Sequence, residues 1–281
     1  MNLILQGLTT DQSSINRIAA LAHAQRVVAI RPNVYRCEDV AHSDALKAEI
    51  DAACYAAKLD YAFAPVGRKL PDFKLVVMDM DSTLITIECI DEIADMQGLK
   101  PQVAEITESA MRGEIEFRES LTRRVALLKG LDASALQRVY DERLQLSLGA
   151  EKMLAAVKAA GLKTLLVSGG FTFFTDRMKT RLGLDYTHSN VLEIADGKLT
   201  GHVLGNIVDA IEKKQMTERV CAELNISPSQ AIIMGDGAND LKMMSIAGIS
   251  VAFRAKPIVR AQADVALNFV GLDGILNLFD E

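Results

Sequence analysis

Runs of apolar residues and helical spacings divide the chain into elements. Leu3 to Leu8 reads as a strand, and Thr10 or Asp11 can cap a helix running through Leu21. Arg26 to Ile30 reads as a second strand and, after the turn at Pro32-Asn33, Val34 to Cys37 as a third. Asp44 to Ala57 has the pattern of an Ala-rich helix, and Tyr61 to Ala64 that of a closing strand. The order β-α-β-β-α-β is the ferredoxin-like arrangement. Pro65, Gly67 and Pro71 punctuate the stretch after it as a linker, which predicts one domain over 1–70 and a second over 71–281.

The second domain opens on KLVVMDMDST, residues 74–83. Leu75 to Met78 is a short apolar run suited to a strand buried on both faces, and it ends abruptly in Asp79 and Asp81. Residues 86 to about 145 then show helical periodicity with no convincing strand: Glu88–Met96, Pro101–Met111, Glu116–Leu128 and Ala133–Leu144. One crossover helix suffices between parallel strands, so this stretch predicts an inserted helical cap that sits over the strand end like a lid. Strand–helix alternation resumes with strands at Lys163–Val167, His188–Leu192, Ala231–Met234, Ile249–Ala252 and Val265–Leu267, and helices at Ala150–Ala160, Thr172–Leu182 and Ile211–Leu224. Asp196-Gly197 signals a hairpin, and a short helix closes the chain. The pattern predicts an α/β fold with a doubly wound parallel sheet.

Composition narrows the partners. The 281 residues carry a formal net charge of -6 with no block of consecutive basic residues, which argues against a nucleic-acid surface. No apolar run approaches the roughly 20 residues that span a bilayer, and the N-terminus lacks the basic region and cleavage pattern of a signal peptide. Cys37, Cys54, Cys89 and Cys221 form no C-x-x-C pair, so they read as isolated thiols in a reducing compartment. These features predict a cytoplasmic enzyme.

Three predicted strands end in turns rich in chemistry: Asp79–Thr83, Ser168–Gly170 and Gly235–Asp240. Each alone reads more simply as a turn. In a parallel sheet, however, all strand C-termini share one edge, which is where open α/β folds keep their sites. The set D-x-D-x-T, then Ser, then Lys, then GD-x-x-x-D resembles the haloacid dehalogenase-like (HAD) phosphotransferases from about Asp72 onward. IECIDEIAD (87–95), SLTRRVALLKGL (120–131), SGGF (168–171) and GDGAND (235–240) narrow the resemblance to the phosphoserine phosphatases of that superfamily. Met78 departs from the Phe common at that position and is equally apolar. The N-terminal unit resembles the ACT domain in topology. However, Thr9-Thr10-Asp11-Gln12 stands where amino-acid-binding ACT domains carry Asp-Pro-Gly, so ligand binding, spacing and homodimer formation all stay open for it.

The resemblance implies a nucleophile at Asp79, attacking phosphorus, and an acid/base at Asp81 that protonates the leaving oxygen. It implies Mg²⁺ held by Asp79, the Asp81 backbone carbonyl and Asp236, with Asp240 behind them orienting the metal's waters or Lys213. Ser168 and the Gly169 N–H would bind phosphoryl oxygens together with a lysine. Lys213 and Lys214 are both available, and the spacing to Asp236 selects Lys213. Glu88 would engage the substrate ammonium, Arg124 its carboxylate, and Asn239 the substrate or phosphate. Arg123 reads as solvated, Met111 and Phe117 as either an apolar wall or ordinary lid packing, and His188 and His202 as non-catalytic with no partner. The implied reaction is hydrolysis of O-phospho-L-serine. Transfer to another alcohol such as homoserine is the near alternative, and a non-catalytic amino-acid sensor is a distant one.

Overall fold

The structure, a computed structural model, describes residues 1–112 and 114–280, and for Met111 the backbone alone. In chain order the elements are β1 (Asn2–Gln6), α1 (Gln12–Leu21), β2 (Arg26–Arg31), β3 (Val34–Glu38), α2 (Asp44–Ala56), β4 (Asp60–Ala64) and β5 (Leu75–Met78). Then follow α3 (Cys89–Asp95), α4 (Lys100–Met111), α5 (Phe117–Ala126), α6 (Ser134–Glu142), α7 (Ala150–Ala159), β6 (Lys163–Phe171), α8 (Thr172–Leu182), β7 (Tyr186–Ala195) and β8 (Lys198–Leu204). The chain closes with α9 (Ala210–Glu223), β9 (Ala231–Gly235), α10 (Leu241–Met244), β10 (Ile249–Phe253), α11 (Pro257–Arg260), β11 (Val265–Leu267) and a 3₁₀ segment, Leu272–Leu278.

Two compact units share these elements. The first comprises Met1–Val76, Ser147–Lys163 and Ile226–Glu281, with strand order β2-β3-β1-β4-β11-β10-β9. Its N-terminal part has the β-α-β-β-α-β order that the sequence predicts. Asp11 caps α1 by accepting from the Ser13 and Ser14 N–H groups at 3.3 and 2.9 Å, and Ser43 caps α2. Every residue of β1 is buried because both faces of the strand are covered. Leu3 and Leu5 pack with Ile15, Ile18 and Ile50, while Ile4 on the opposite face meets Val34 and Ala64. Asp60, at the start of β4, accepts backbone N–H bonds from Asn268, Phe269 and Val270 at 2.7 to 2.9 Å. These bonds fix the turn that follows β11. Strands β9, β10 and β11 are parallel to one another, and β11 meets β4 antiparallel.

The second unit comprises Val77–Leu146 and Thr164–Asn225, with strand order β5-β6-β7-β8. Strand β5 gives its first two residues to the first unit and its last two to the second. Helices α3 to α6 follow one another without a named strand and form the expected insertion. It leaves and returns through one neck, where Ile85 bridges Leu146 and the Thr86 N–H donates to the Gln145 carbonyl at 2.9 Å. Strand β7 runs parallel to β6 and antiparallel to β8. The β7–β8 turn has φ of +50° at Asp196 and +75° at Gly197, the left-handed pair that Asp-Gly supplies. Among the described residues no helix is long and apolar enough to cross a membrane.

Candidate active site

All four residues of β5 are fully buried, so Asp79, the next residue, leaves the core at only 6% exposure. The chain then makes an irregular turn. Asp79 Oδ1 accepts the Met80 N–H at 2.7 Å, and the Leu84 and Ile85 N–H groups close back on the Asp79 and Met80 carbonyls. Ser82 sits at φ +57°, a left-handed conformation that costs a non-glycine residue about 1 kcal/mol or more. The turn aims Ser82 Oγ at Glu88, donating to Oε1 at 2.6 Å, and the Cys89 N–H donates to Asp81 Oδ2 at 3.2 Å. Burial, and then the charge on Glu88, push the Asp81 carboxyl up to about 8. Its Oδ1 is buried with no hydrogen-bond partner among the described residues. A carboxyl in this setting holds its proton near neutrality and can give it away.

Lys213 approaches Asp79 from α9. Asp209 caps that helix, its Oδ1 accepting from the Ile211 and Glu212 N–H groups, both at 2.9 Å. Lys213 Nζ lies 2.8 Å from Asp79 Oδ1, and the lysine has no exposed surface. Its neighbour Lys214 is half-exposed and lies 3.8 Å from Glu218. Of the two lysines, Lys213 is the one that stands against Asp79.

The second strand end is not the simple turn expected. Strand β6 continues through Ser168-Gly169-Gly170 to Phe171, with a register shift against β7 between Val167 and Phe171. That irregularity re-aims the backbone, as bulges do. Ser168 is 1% exposed and accepts the Gly170 N–H at 2.8 Å. A Cβ at Gly170 would lie 3.0 Å from Ser168 Oγ and 3.5 Å from Asp81 Oδ2, so the backbone passes close against the acid. The Phe117 ring covers Gly169, where a Cβ would meet it at 3.0 Å.

At the third strand end, Asp240 is fully buried and its Oδ2 accepts the Gly237 N–H at 3.1 Å. A Cβ on Gly235 would overlap the Asp240 side chain far inside van der Waals contact, so only glycine fits there. Asn239 is half-buried with Oδ1 turned back toward Gly237. Asp236 and Asp240, after β9, and Asp79, after β5, each offer a carboxylate oxygen. An all-oxygen set without His or Cys suits a hard divalent cation rather than zinc or copper.

Arg124, on α5, is mostly buried. Burial lowers its pKa, against the carboxylates of Asp91, Glu88 and Asp81, whose charge it feels. A cation and the acids of the first strand end thus share one neighbourhood. Arg123 points away and pairs with Glu119 at 2.5 Å on the surface. The Met111 side chain lies outside the described residues. His202 is exposed, but the expectation that His188 lacks a partner is corrected. His188 Nε2 lies 3.1 Å from Glu212 Oε1, and Glu212 also pairs with Arg219. The strand reaches back to Tyr186, further than the sequence pattern implied, and so faces His188 toward α9.

Sequence reasoning missed Asn190. Its side chain is 1% exposed, donates from Nδ2 to the Gly169 carbonyl at 2.7 Å and accepts the Val208 N–H on Oδ1 at 2.8 Å. One amide thus ties the Ser168–Gly170 backbone to the segment that leads into α9. An Asn inside a strand pattern gives no local sign of such a role.

Comparison with known proteins places this arrangement in a class. The family model described as haloacid dehalogenase-like hydrolase matches residues 73–248, and a model described as a domain of unknown function (DUF4072) matches residues 3–50. The chain is 60% identical over 215 residues to the phosphoserine phosphatase of Polaromonas sp. (strain JS666), covering 75% of this chain and 91% of that one. It resembles a solved structure of a probable phosphoserine phosphatase from Vibrio cholerae, with TM-score 0.83 and 36% identity over 99% of this chain and 86% of that one. It also resembles a phospho-aspartyl intermediate analogue of a phosphoserine phosphatase, with TM-score 0.70 and 38% identity over 74% of this chain and 99% of that one. Within the haloacid dehalogenase-like hydrolases, the chain belongs to the phosphoserine phosphatase family.

Proposed function

We propose that this chain hydrolyses O-phospho-L-serine to L-serine and phosphate through an aspartyl-phosphate at Asp79. The observation that carries the reading is the buried contact between Lys213 Nζ and Asp79 Oδ1. The lysine orients Asp79 for attack. Asp79 attacks phosphorus, and the P–O bond to serine breaks as Asp81 donates its proton to the seryl oxygen. Asp81, now a base, takes a proton from water, which attacks the aspartyl-phosphate. Phosphate leaves and both acids return to their starting states.

Asp79, Asp236 and the Asp81 carbonyl would hold Mg²⁺, which would neutralise the phosphoryl charge that repels a nucleophile. Asp240 orients its surroundings. Ser168, the Gly169 N–H and Lys213 bind the phosphoryl oxygens, and Asn239 contacts substrate or phosphate. Glu88 and Arg124 read the ammonium and carboxylate of the amino acid, a task that suits their mixed-charge neighbourhood. In this reading residues 1–70 form an ACT-like domain and 71–281 the phosphatase, with its cap at about 86–145. The enzyme works in the cytoplasm, and the N-terminal domain supports a homodimer.

A phosphate-release screen over small phosphomonoesters with Mg²⁺, including both phosphoserine enantiomers, tests the proposal. Turnover of O-phospho-L-serine well above the other esters supports it. Comparable turnover of a plain aryl phosphate would refute the substrate assignment. Adding homoserine should leave the phosphate yield unchanged if water is the acceptor.

A further inference from the structure

Helix α5 carries both Arg124 and the Phe117 ring that covers Gly169, and its two ends are held differently. Beyond its C-terminus the hold is through the main chain. The Gly130 N–H donates to the Leu199 carbonyl and the Leu199 N–H to the Leu131 carbonyl, both at 2.8 Å, and the Ala133 N–H donates to the Gly197 carbonyl at 2.8 Å. A Cβ on Gly201 would meet Lys129 Cβ at 3.0 Å, so this end lies flat on β8. Such a seam opens only with the hairpin.

Near the N-terminal end stands a side-chain ion pair. Arg118, the second residue of α5, donates from Nε to Asp209 Oδ2 at 2.6 Å. Asp209 is only 14% exposed while Arg118 is half-open to solvent. The carboxylate is divided between two helices, with Oδ1 capping α9 and Oδ2 taking the guanidinium from α5. Although burial works against it, the bonds from Glu212 and Arg118 hold this carboxyl below its ordinary pKa. Four residues on, α9 presents Lys213 to Asp79. One residue back, Val208 is tied through Asn190 to Gly169.

We propose that Arg118 and Asp209 are positioning residues for substrate binding. Their pairing fixes the free end of α5 against the cap of the Lys213 helix and so sets the distance between Arg124 and the phosphoryl-binding groups. The main-chain seam at the other end acts as the hinge. The substrate consequence rests on the phosphoserine reading, whereas the mechanical claim does not. A charged pair with one arm in water is weak enough to break in each catalytic cycle. Neither residue touches the reacting atoms, so its loss should weaken substrate binding and leave the chemical step almost intact.

The test uses the full chain with Arg118→Ala, Arg118→Lys and Asp209→Asn. Asparagine caps a helix about as well as aspartate, so the last variant keeps α9 folded while removing the charge. Hydrogen exchange, read by mass spectrometry on the substrate-free enzyme, should quicken in peptides covering 115–122 in Arg118→Ala and Asp209→Asn. Peptides covering 210–216 should stay as in the parent. KM for O-phospho-L-serine should rise about fivefold in both with kcat within twofold, as expected for loss of one partly exposed charge pair. Arg118→Lys should recover most of both changes. Unchanged exchange at 115–122 overturns the proposal whatever the substrate, as does a loss confined to kcat. A parent enzyme inactive on phosphoserine, with α5 loosened in the variants, would overturn the substrate reading and leave the ion pair's hold on α5 supported.

Discussion

Lys213 Nζ stands 2.8 Å from Asp79 Oδ1 in a place where the lysine has no exposed surface and the aspartate very little. A buried ion pair contributes little net stability, because desolvation offsets the attraction. Removing one partner is a different matter, since it strands a charge. The pair is thus better explained by chemistry: it holds the Asp79 carboxylate in one orientation at the end of β5.

As the proposed acid, Asp81 matters most where the leaving group needs a proton. Asp81→Asn should lower kcat for phosphoserine by about 10² to 10⁴, the usual contribution of a positioned acid. With an aryl phosphate, whose phenolate leaves unaided, the first step should lose far less. Burst kinetics would show it, as a normal burst of phenol followed by slow turnover. Equal loss of the burst with both substrates would contradict the role.

Glu88 and Arg124 are assigned to the amino-acid end of the substrate. Glu88→Ala and Arg124→Ala should raise KM for phosphoserine about tenfold or more, in line with loss of a charged hydrogen bond, while an aryl phosphate keeps its KM. Parallel steady-state assays decide the matter. Equal effects on both substrates would remove the zwitterion-reading role.

Asn190 bridges the Gly169 carbonyl and the Val208 N–H from a buried position. Asn190→Ala leaves two buried backbone groups without that partner, at about 1–3 kcal/mol each. Urea unfolding should show a lowered midpoint with an unchanged slope. A variant as stable as the parent would mean that water replaces the amide at no cost.

Burial pushes the Cys37 thiol up to about 11, from an ordinary value of 9.0. A folded pKa raised above the unfolded one gives stability that is fully present below pH 9 and lost as pH rises through 11. Denaturant midpoints should therefore fall between pH 9 and 11, and fall less in Cys37→Ala. All four cysteines are buried, so a thiol reagent at pH 8 should label them only after unfolding.

Much of this was legible in the chain because it is local. LVVM between polar neighbours could be little else than a buried strand, and Asp196-Gly197 adopts the turn that its chemistry favours. The acids at the strand ends followed from topology, since a parallel sheet gathers them at one edge. Relations that depend on chain closure left no local trace. Arg118 and Asp209 are 91 positions apart, and neither stands out among surface charges. Asn190 reads as one more polar residue in a strand. His188 seemed partnerless because its strand extends further than its apolar run, as the parallel pairing with β6 carries polar positions along. The left-handed Ser82 was equally hidden, because strain there is held by the Glu88 contact and not by any preference of serine.

Asp79 is the proposed acceptor of the phosphoryl group. The most direct measurement is phosphate release from O-phospho-L-serine with Mg²⁺, by the parent chain and by Asp79→Asn, with both first shown to be folded. The account predicts steady release by the parent and none above background by the variant. Release by Asp79→Asn at a rate near that of the parent would contradict it.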